Sequence, residues 1–430
     1  MNNTNEEKKV LLKVEHLEQF FKLGHRVLRA VNDVSFDIYK GEVFGLVGES
    51  GCGKTTTGRS IIRLYDCTGG SVYFDGKRIC AGIRPYKQAI KDAKLKNRQE
   101  LASYKAAMKQ AIATGSNPET EKEKYLALAK ASDEALIQVV RENTAQIESA
   151  KHDHKYCNRE FAEFEMQKVR DRFEPELAKE TDPEKLESLE ARYKEELKLA
   201  RKDRIMNKIQ MIFQDPIASL DPRMTVRDII AEGLIIRGIK DKKYIDEQVF
   251  KILDLVGLVP EHATRYPHEF SGGQRQRIGI ARAIILNPEL VIADEPISAL
   301  DVSIQAQVIN LLRELSDRMG LTTMFIAHDL AVVKYFSNRI AVMYYGKIVE
   351  LASSDELFKH PLHPYTKSLL SAIPFPDPFF EKKRKRTVYN PLSDHDYSTE
   401  QPIMREITPG HFVYCNSVEF EKYQTEIKES

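Results

Sequence analysis

Val43-Phe44-Gly45-Leu46-Val47-Gly48-Glu49-Ser50-Gly51-Cys52-Gly53-Lys54-Thr55 decides the fold. Its first five residues are an uncharged strand pattern that runs into GxxxxGK[ST], and the residues after Lys54 read as a helix. Strand, glycine loop and helix in that order open an α/β fold with a parallel sheet. The glycines let successive backbone N–H groups turn toward one phosphate group, and the helix N-terminus adds positive potential. Lys54 brings a point charge to the terminal phosphates, and the Thr55 hydroxyl is a ligand for Mg²⁺. Gly48, Glu49, Ser50, Gly51, Cys52, Gly53, Lys54, Thr55 and Thr56 are therefore the expected nucleotide cradle. A glycine turn without a ligand is the plain alternative; the flanking strand and helix argue against it.

Two more apolar runs end in ionisable residues. Leu290-Val291-Ile292-Ala293 leads into Asp294-Glu295, and Thr322-Thr323-Met324-Phe325-Ile326-Ala327 leads into His328. Ligands of parallel α/β sheets sit at the carboxyl ends of strands, so three strands deliver chemistry to one edge. Asp294 can hold the same Mg²⁺ as Thr55. Glu295 can orient and deprotonate a water, and phosphoryl transfer asks for little more than positioning and charge stabilisation. Phe270-Ser271-Gly272-Gly273-Gln274 is a second anion-binding candidate, because it opens a helix with free N–H groups. A simple serine N-cap is the competing reading of that segment.

Composition narrows the setting. The chain has 430 residues and a formal net charge of +1, which gives no global attraction to nucleic acid or membrane. No apolar run reaches the ~18 residues of a membrane span. The N-terminal MNNTNEEKKV lacks the apolar stretch of a secretory signal. A cytosolic chain, held at a membrane only by a partner, is expected. Cys52, Cys67, Cys80, Cys157 and Cys415 form no CxxC pair, so neither a disulfide framework nor a zinc site is expected.

Four segments follow: 1–83 with the phosphate loop, 84–204, 205–352 and 353–430. The second is dense in charges of both signs and nearly free of glycine and proline outside Gly115–Pro118, Pro175 and Pro183. Such a pattern predicts solvated helices joined along a narrow seam by Leu126, Leu128, Leu136, Ile137 and Val140, as in a helical hairpin or coiled coil. A disordered charged insert is the alternative. After Glu350 the many prolines and the basic run Lys382–Arg386 predict a partly extended tail. That run could touch anionic lipid or simply be solvated.

The phosphate loop, Gln214 in Phe213-Gln214-Asp215-Pro216, Phe270–Gln274, Asp294-Glu295, Ser298-Ala299-Leu300-Asp301 and His328 stand in the order and spacing of an ATP-binding cassette (ABC) ATPase. The chain resembles that family over about 300 residues, all but the insert. The resemblance implies a P-loop cassette with a parallel sheet, an antiparallel β subdomain and a helical subdomain, here with a long helical insertion. It implies two cassettes head to tail, with ATP between the loop of one and Ser271, Gly272, Gly273 and Gln274 of the other. It places Asp301 at the dimer interface, His328 at the terminal phosphate, and Gln214 where it senses Mg²⁺ and the attacking water. Phe21 fits the aromatic position that stacks on adenine, with Phe20 as neighbouring candidate and a plain core role open for either.

The ends narrow the resemblance further. His360–Leu370 and Glu406–Val413 look like the C-terminal region of oligopeptide and dipeptide importer ATPases, in particular their F-type subunits. Those subunits pair with a D-type cassette beneath two permeases, which receive cargo from a binding protein. That implies ATP hydrolysis coupled to peptide import at the cytoplasmic face of the membrane, with no nucleic acid involved. A soluble ABC ATPase acting on nucleic acid, of the repair or chromosome-organising type, is the other reading. Against it stand an insert that precedes Gln214, the near-zero net charge and the tail. Two features depart from the pattern. Cys415 is alone where an iron–sulfur cluster would need four thiolates, so no cluster is expected. The insert adds over a hundred residues before Gln214.

Overall fold

The computed structural model describes residues 9–298, 300–373 and 388–429. β1 (Val10–Leu23) and β2 (Arg26–Tyr39) open the chain as an antiparallel pair. β2 shows why: Val34, Phe36 and Ile38 turn inward while Ser35 and Asp37 alternate between them, the period-2 pattern of a half-buried strand. β3 (Val43–Val47) carries the chain to the phosphate loop and to α1 (Lys54–Ile61). β4 (Gly69–Phe74) and β5 (Lys77–Ala81) then return to complete a four-stranded antiparallel sheet, order β2-β1-β4-β5.

The insert forms α2 (Arg84–Ala113), α3 (Pro118–Leu177) and α4 (Pro183–Ala200). Asn117 and Asp182 cap α3 and α4 through the backbone N–H groups of Glu119 and Glu184, each followed by proline at the first helical position. Pro175 lies inside the last turns of α3, which ends two residues later. The expected apolar seam is only partly present. Leu136 and Val140 are half-buried, but Leu126, Leu128 and Ile137 are exposed. Polar groups hold the α2–α3 crossing instead: Asn97 donates to Ser132 (3.1 Å) and Asp133 (2.9 Å), and Ser132 donates to Glu100 (2.7 Å). The insert is also seated on the cassette. Arg78 of β5 meets Asp153 at 2.6 Å, Arg63 bonds the His154 carbonyl, and Cys157 and Phe161 join the core beneath β4 and β5.

The second sheet gathers β3 with β6 (Ile209–Ile212), β7 (Leu290–Asp294), β8 (Thr322–Ala327) and β9 (Arg339–Tyr344) in parallel. β10 (Lys347–Ser353), β11 (Ile403–Thr408) and β12 (His411–Cys415) add an antiparallel edge, giving the order β11-β12-β10-β9-β3-β8-β7-β6. Both faces are covered, so its strands are buried without alternation. Ile292, Met324 and Ile326 pack with Val14 and Phe36 of the antiparallel sheet and with Ile61 of α1. Val291, Ala293 and Phe325 pack on the other face with Ile230, Ile278 and Leu312. Each of the larger of these side chains contributes roughly 1.5–3 kcal/mol through burial.

Two expectations are corrected here. Among the described residues after Glu350 the chain is packed rather than extended: β12 pairs with β10, and Leu362, Val413, Cys415 and Tyr423 bury a small core of their own. The basic run 382–386 lies outside the described residues. Cys67 and Cys80 form a disulfide with Cα atoms 6.7 Å apart. Chain spacing hid the pair; the β4–β5 hairpin, in which Cys80 faces Val72, brings it together.

Candidate nucleotide site

The loop from Gly48 to Thr55 leaves β3 at its carboxyl end and enters α1 at Lys54. Gly48, Gly51 and Gly53 all have positive φ (153°, 83° and 109°). A Cβ on Gly48 would overlap the Met343 carbonyl, and one on Gly53 the Ala30 carbonyl, so the loop lies flat on β2 and β9. Gly346, in the β9–β10 turn, donates its N–H to the Cys52 carbonyl at 2.8 Å. Lys54 is buried and donates to the carbonyls of Gly48 (2.7 Å) and Glu49 (2.9 Å), which leaves it curled over the loop. Cys52 is buried as well, and burial pushes its thiol up, so it rests as an unreactive neutral group rather than at an open position.

Three strand ends meet this loop. Thr55 Oγ1 donates to Asp294 Oδ1 at 2.8 Å, while Asp294 Oδ2 is buried without a hydrogen-bond partner. Burial raises the Asp294 carboxyl above the ordinary range, against the opposing pull of the Thr55 hydrogen bond and Arg59. A hydroxyl beside a buried carboxylate oxygen lacking a partner is the donor set a hard divalent cation takes. The fit to Mg²⁺ is therefore good for Thr55 and Asp294. Gln214 instead donates to Glu295 Oε2 at 3.0 Å.

Glu295 is the hub. It is 8% exposed, held at a positive φ of 43°, and its N–H donates to the Ile326 carbonyl. Beside Gln214, its carboxylate meets His328 Nδ1 at 3.4 Å and Lys54 Nζ at 3.8 Å. The His328 side chain is 53% exposed, so the lone histidine is no core residue. An αL conformation at a non-glycine residue is strained, and such strain collects where a carboxylate must be aimed.

The remaining predicted residues lie apart from this cluster. Ser271 caps α5 (Gly272–Ile284) in a reciprocal box with Gln274. Ser271 and Gly272 are exposed, and Gly272 and Gly273 border Leu300 and Ile304. Ile304 belongs to α6 (Val302–Met319), whose exposed N-cap residue Asp301 makes no side-chain cap bond. Ser271–Gln274 and Asp301 thus form one outward surface. Phe21 is half-buried and meets Tyr65 edge-on at 5.3 Å, whereas the Phe20 ring lies between Arg29 and Arg84. One aromatic is therefore taken by two cations, and Phe21 is left beside the end of α1.

Sequence reasoning missed a further layer behind the loop. Tyr365, 2% exposed, opens helix Pro364–Ala372 and accepts the Glu49 N–H at 3.1 Å. Its helix is capped by His363 Nδ1. Behind it, the buried Glu350 carboxyl accepts the N–H groups of Leu362 and His363, and it meets His411 Nε2 at 2.8 Å. Sequence could flag these residues only as marks of likeness, since the contacts span up to 316 positions.

Burial, helped by His395, drops the His363 imidazole to about 3. Its folded value lies below its unfolded one, so its contribution is complete above about pH 6.5. It is lost as pH falls toward 3, by up to about 4–5 kcal/mol. His363→Asn keeps a capping acceptor without the titrating ring. Its unfolding free energy should fall less steeply than wild type between pH 6.5 and 3 in urea titrations; parallel curves would refute the assignment.

Comparisons with known proteins agree with this geometry. The ABC transporter family model matches residues 31–173 and 176–298, and the model for the oligopeptide/dipeptide transporter C-terminal region matches 349–396. The chain is 44% identical over 414 residues to the oligopeptide transport ATP-binding protein OppF of Bacillus subtilis, covering 96% of this chain and 98% of that one. It is 40% identical to the dipeptide transport ATP-binding protein DppF of Lactococcus lactis, covering 97% and 98%. Such coverage leaves no room for the insert to be peculiar to this chain. By its loop, its strand-end residues and these matches, the chain belongs to the ABC transporter family and is an ATPase of that family.

Proposed function

We propose that this chain is the ATP-hydrolysing subunit of an importer for oligopeptides or dipeptides. The observation that carries the hydrolytic part is Glu295, held by Gln214, His328 and Lys54 one residue beyond the Thr55–Asp294 pair. Peptide as cargo rests on the C-terminal region, whose family model and relatives are those of peptide transporters.

In this reading Gly48–Thr56 cradles the phosphates and Phe21 stacks on adenine. Lys54 leaves the Gly48 and Glu49 carbonyls to meet the terminal phosphates. Thr55 and Asp294 would hold Mg²⁺, which would neutralise phosphate charge when bound. Glu295 takes the proton of the attacking water, His328 holds its geometry, and Gln214 carries the state of that carboxylate toward the permease. Ser271–Gln274 and Asp301 serve the ATP of a second, D-type cassette, which explains why they face outward here. Two permeases and, through them, a binding protein complete the assembly. No described helix is long and apolar enough to cross a membrane. By its likeness to importer ATP-binding subunits, the chain would sit on the cytoplasmic face as a peripheral subunit. Residues 84–204 stand as a helical insertion within a cassette that otherwise spans 1–83 and 205–352, with 353–430 as the importer-type extension.

Tagged chain extracted in mild detergent should bring down two permeases and a second cassette. ATP turnover of that complex should rise with peptide-loaded binding protein. Recovery of DNA or ribosomes in their place would overturn the reading.

A further inference from the structure

The importer-type extension reaches the phosphate loop itself. Glu49 N–H donates to Tyr365 Oη, and Lys54 Nζ donates to the carbonyls of Gly48 and Glu49, so the phenol and the ammonium hold opposite ends of the Gly48–Glu49 peptide unit. The Tyr365 ring is fixed on three sides: Tyr344 at 4.4 Å, Tyr389 at 5.5 Å, and a helix start pinned through His363 and Glu350. Burial holds the phenol above its ordinary range, so it stays neutral. Gly346 pins the other side of the same turn at Cys52.

We infer that Tyr365 is a positioning residue of the nucleotide site: its hydroxyl struts the first turn of the phosphate loop and so sets where Lys54 rests. The inference rests on the reading of this loop as the phosphate cradle. It makes the extension a working part of the cassette rather than an appendage. Cys52, buried in that same turn, is the reporter: opening of the turn would expose its thiol.

Tyr365→Phe removes one oxygen and keeps the ring. In the full chain, N-ethylmaleimide labelling of Cys52, resolved by peptide mass mapping, should accelerate roughly five-fold, the factor one neutral hydrogen bond supports. KM for ATP should rise by a similar factor with kcat changed less. Labelling of Cys157 and Cys415, which are buried far along the chain, should keep its wild-type rate. Tyr389→Phe, in the same ring cluster but without a bond to the loop, should match wild type in every readout. Unchanged Cys52 labelling and KM in Tyr365→Phe would overturn the inference. So would equal acceleration at all three cysteines, or an equal effect of Tyr389→Phe, since either would mean general loosening. Failure of ATP to protect Cys52 in the wild-type chain would instead sink the nucleotide reading, leaving the labelling ratio as the test of the strut.

Discussion

Glu295→Gln should bind ATP as wild type does and lose turnover by roughly 10²–10⁴-fold, the range a general base supplies. The cradle between Gly48 and Thr55 takes no bond from the Glu295 side chain except the 3.8 Å approach of Lys54. Binding should therefore survive, and the loss of one negative charge should even free Lys54 for phosphate. The amide can still accept from Gln214, so the geometry is kept and only the proton acceptor is gone. Fluorescent-nucleotide titration measures the first quantity and steady-state phosphate release the second. Wild-type hydrolysis in this variant would remove Glu295 from its role.

Gly53→Ala should weaken nucleotide binding strongly, for a different reason. Its φ of 109° is closed to a side chain, and the new methyl would overlap the Ala30 carbonyl, which belongs to β2 and cannot retreat. Backbone strain of about 1–3 kcal/mol, with the displaced loop, weakens ATP binding on the order of 100-fold. Gly320→Ala is the matched control. Its φ is also positive, at 62°, but open space surrounds it and it caps α6 away from the loop. That variant should lose about 1 kcal/mol in thermal unfolding and keep its affinity. Wild-type affinity in Gly53→Ala would mean that the loop does not lie on β2 as described.

The core of the cassette was legible because its signals are local. A strand, its terminal residue and the following turn are contiguous in Val43–Thr55, Leu290–Glu295 and Thr322–His328, and parallel sheets bring strand ends to one edge. The helical insert was legible from composition, yet its seam was misjudged. Leu126 and Ile137 suggested apolar packing, but Asn97 and Ser132 occupy the crossing. Periodicity tells which residues share a face, not which face meets a partner. The Cys67–Cys80 bond was missed because spacing along the chain says nothing about a hairpin register.

The sequence by itself determined the chemistry: the cradle at Gly48–Thr55, the carboxylates Asp294 and Glu295, and His328. Each is a residue type fixed to the end of a strand that its own apolar pattern predicts. Only the tertiary structure decided how these groups meet, with Gln214 on Glu295 and Tyr365 on Glu49. Those bonds join residues 81 and 316 positions apart, and no local propensity encodes a contact at that range. The Tyr365 bond forms because its ring is buried and its hydroxyl needs a partner there. The exposed Gln214 reaches Glu295 because β6 and β7 are parallel neighbours that end at the same edge of the sheet.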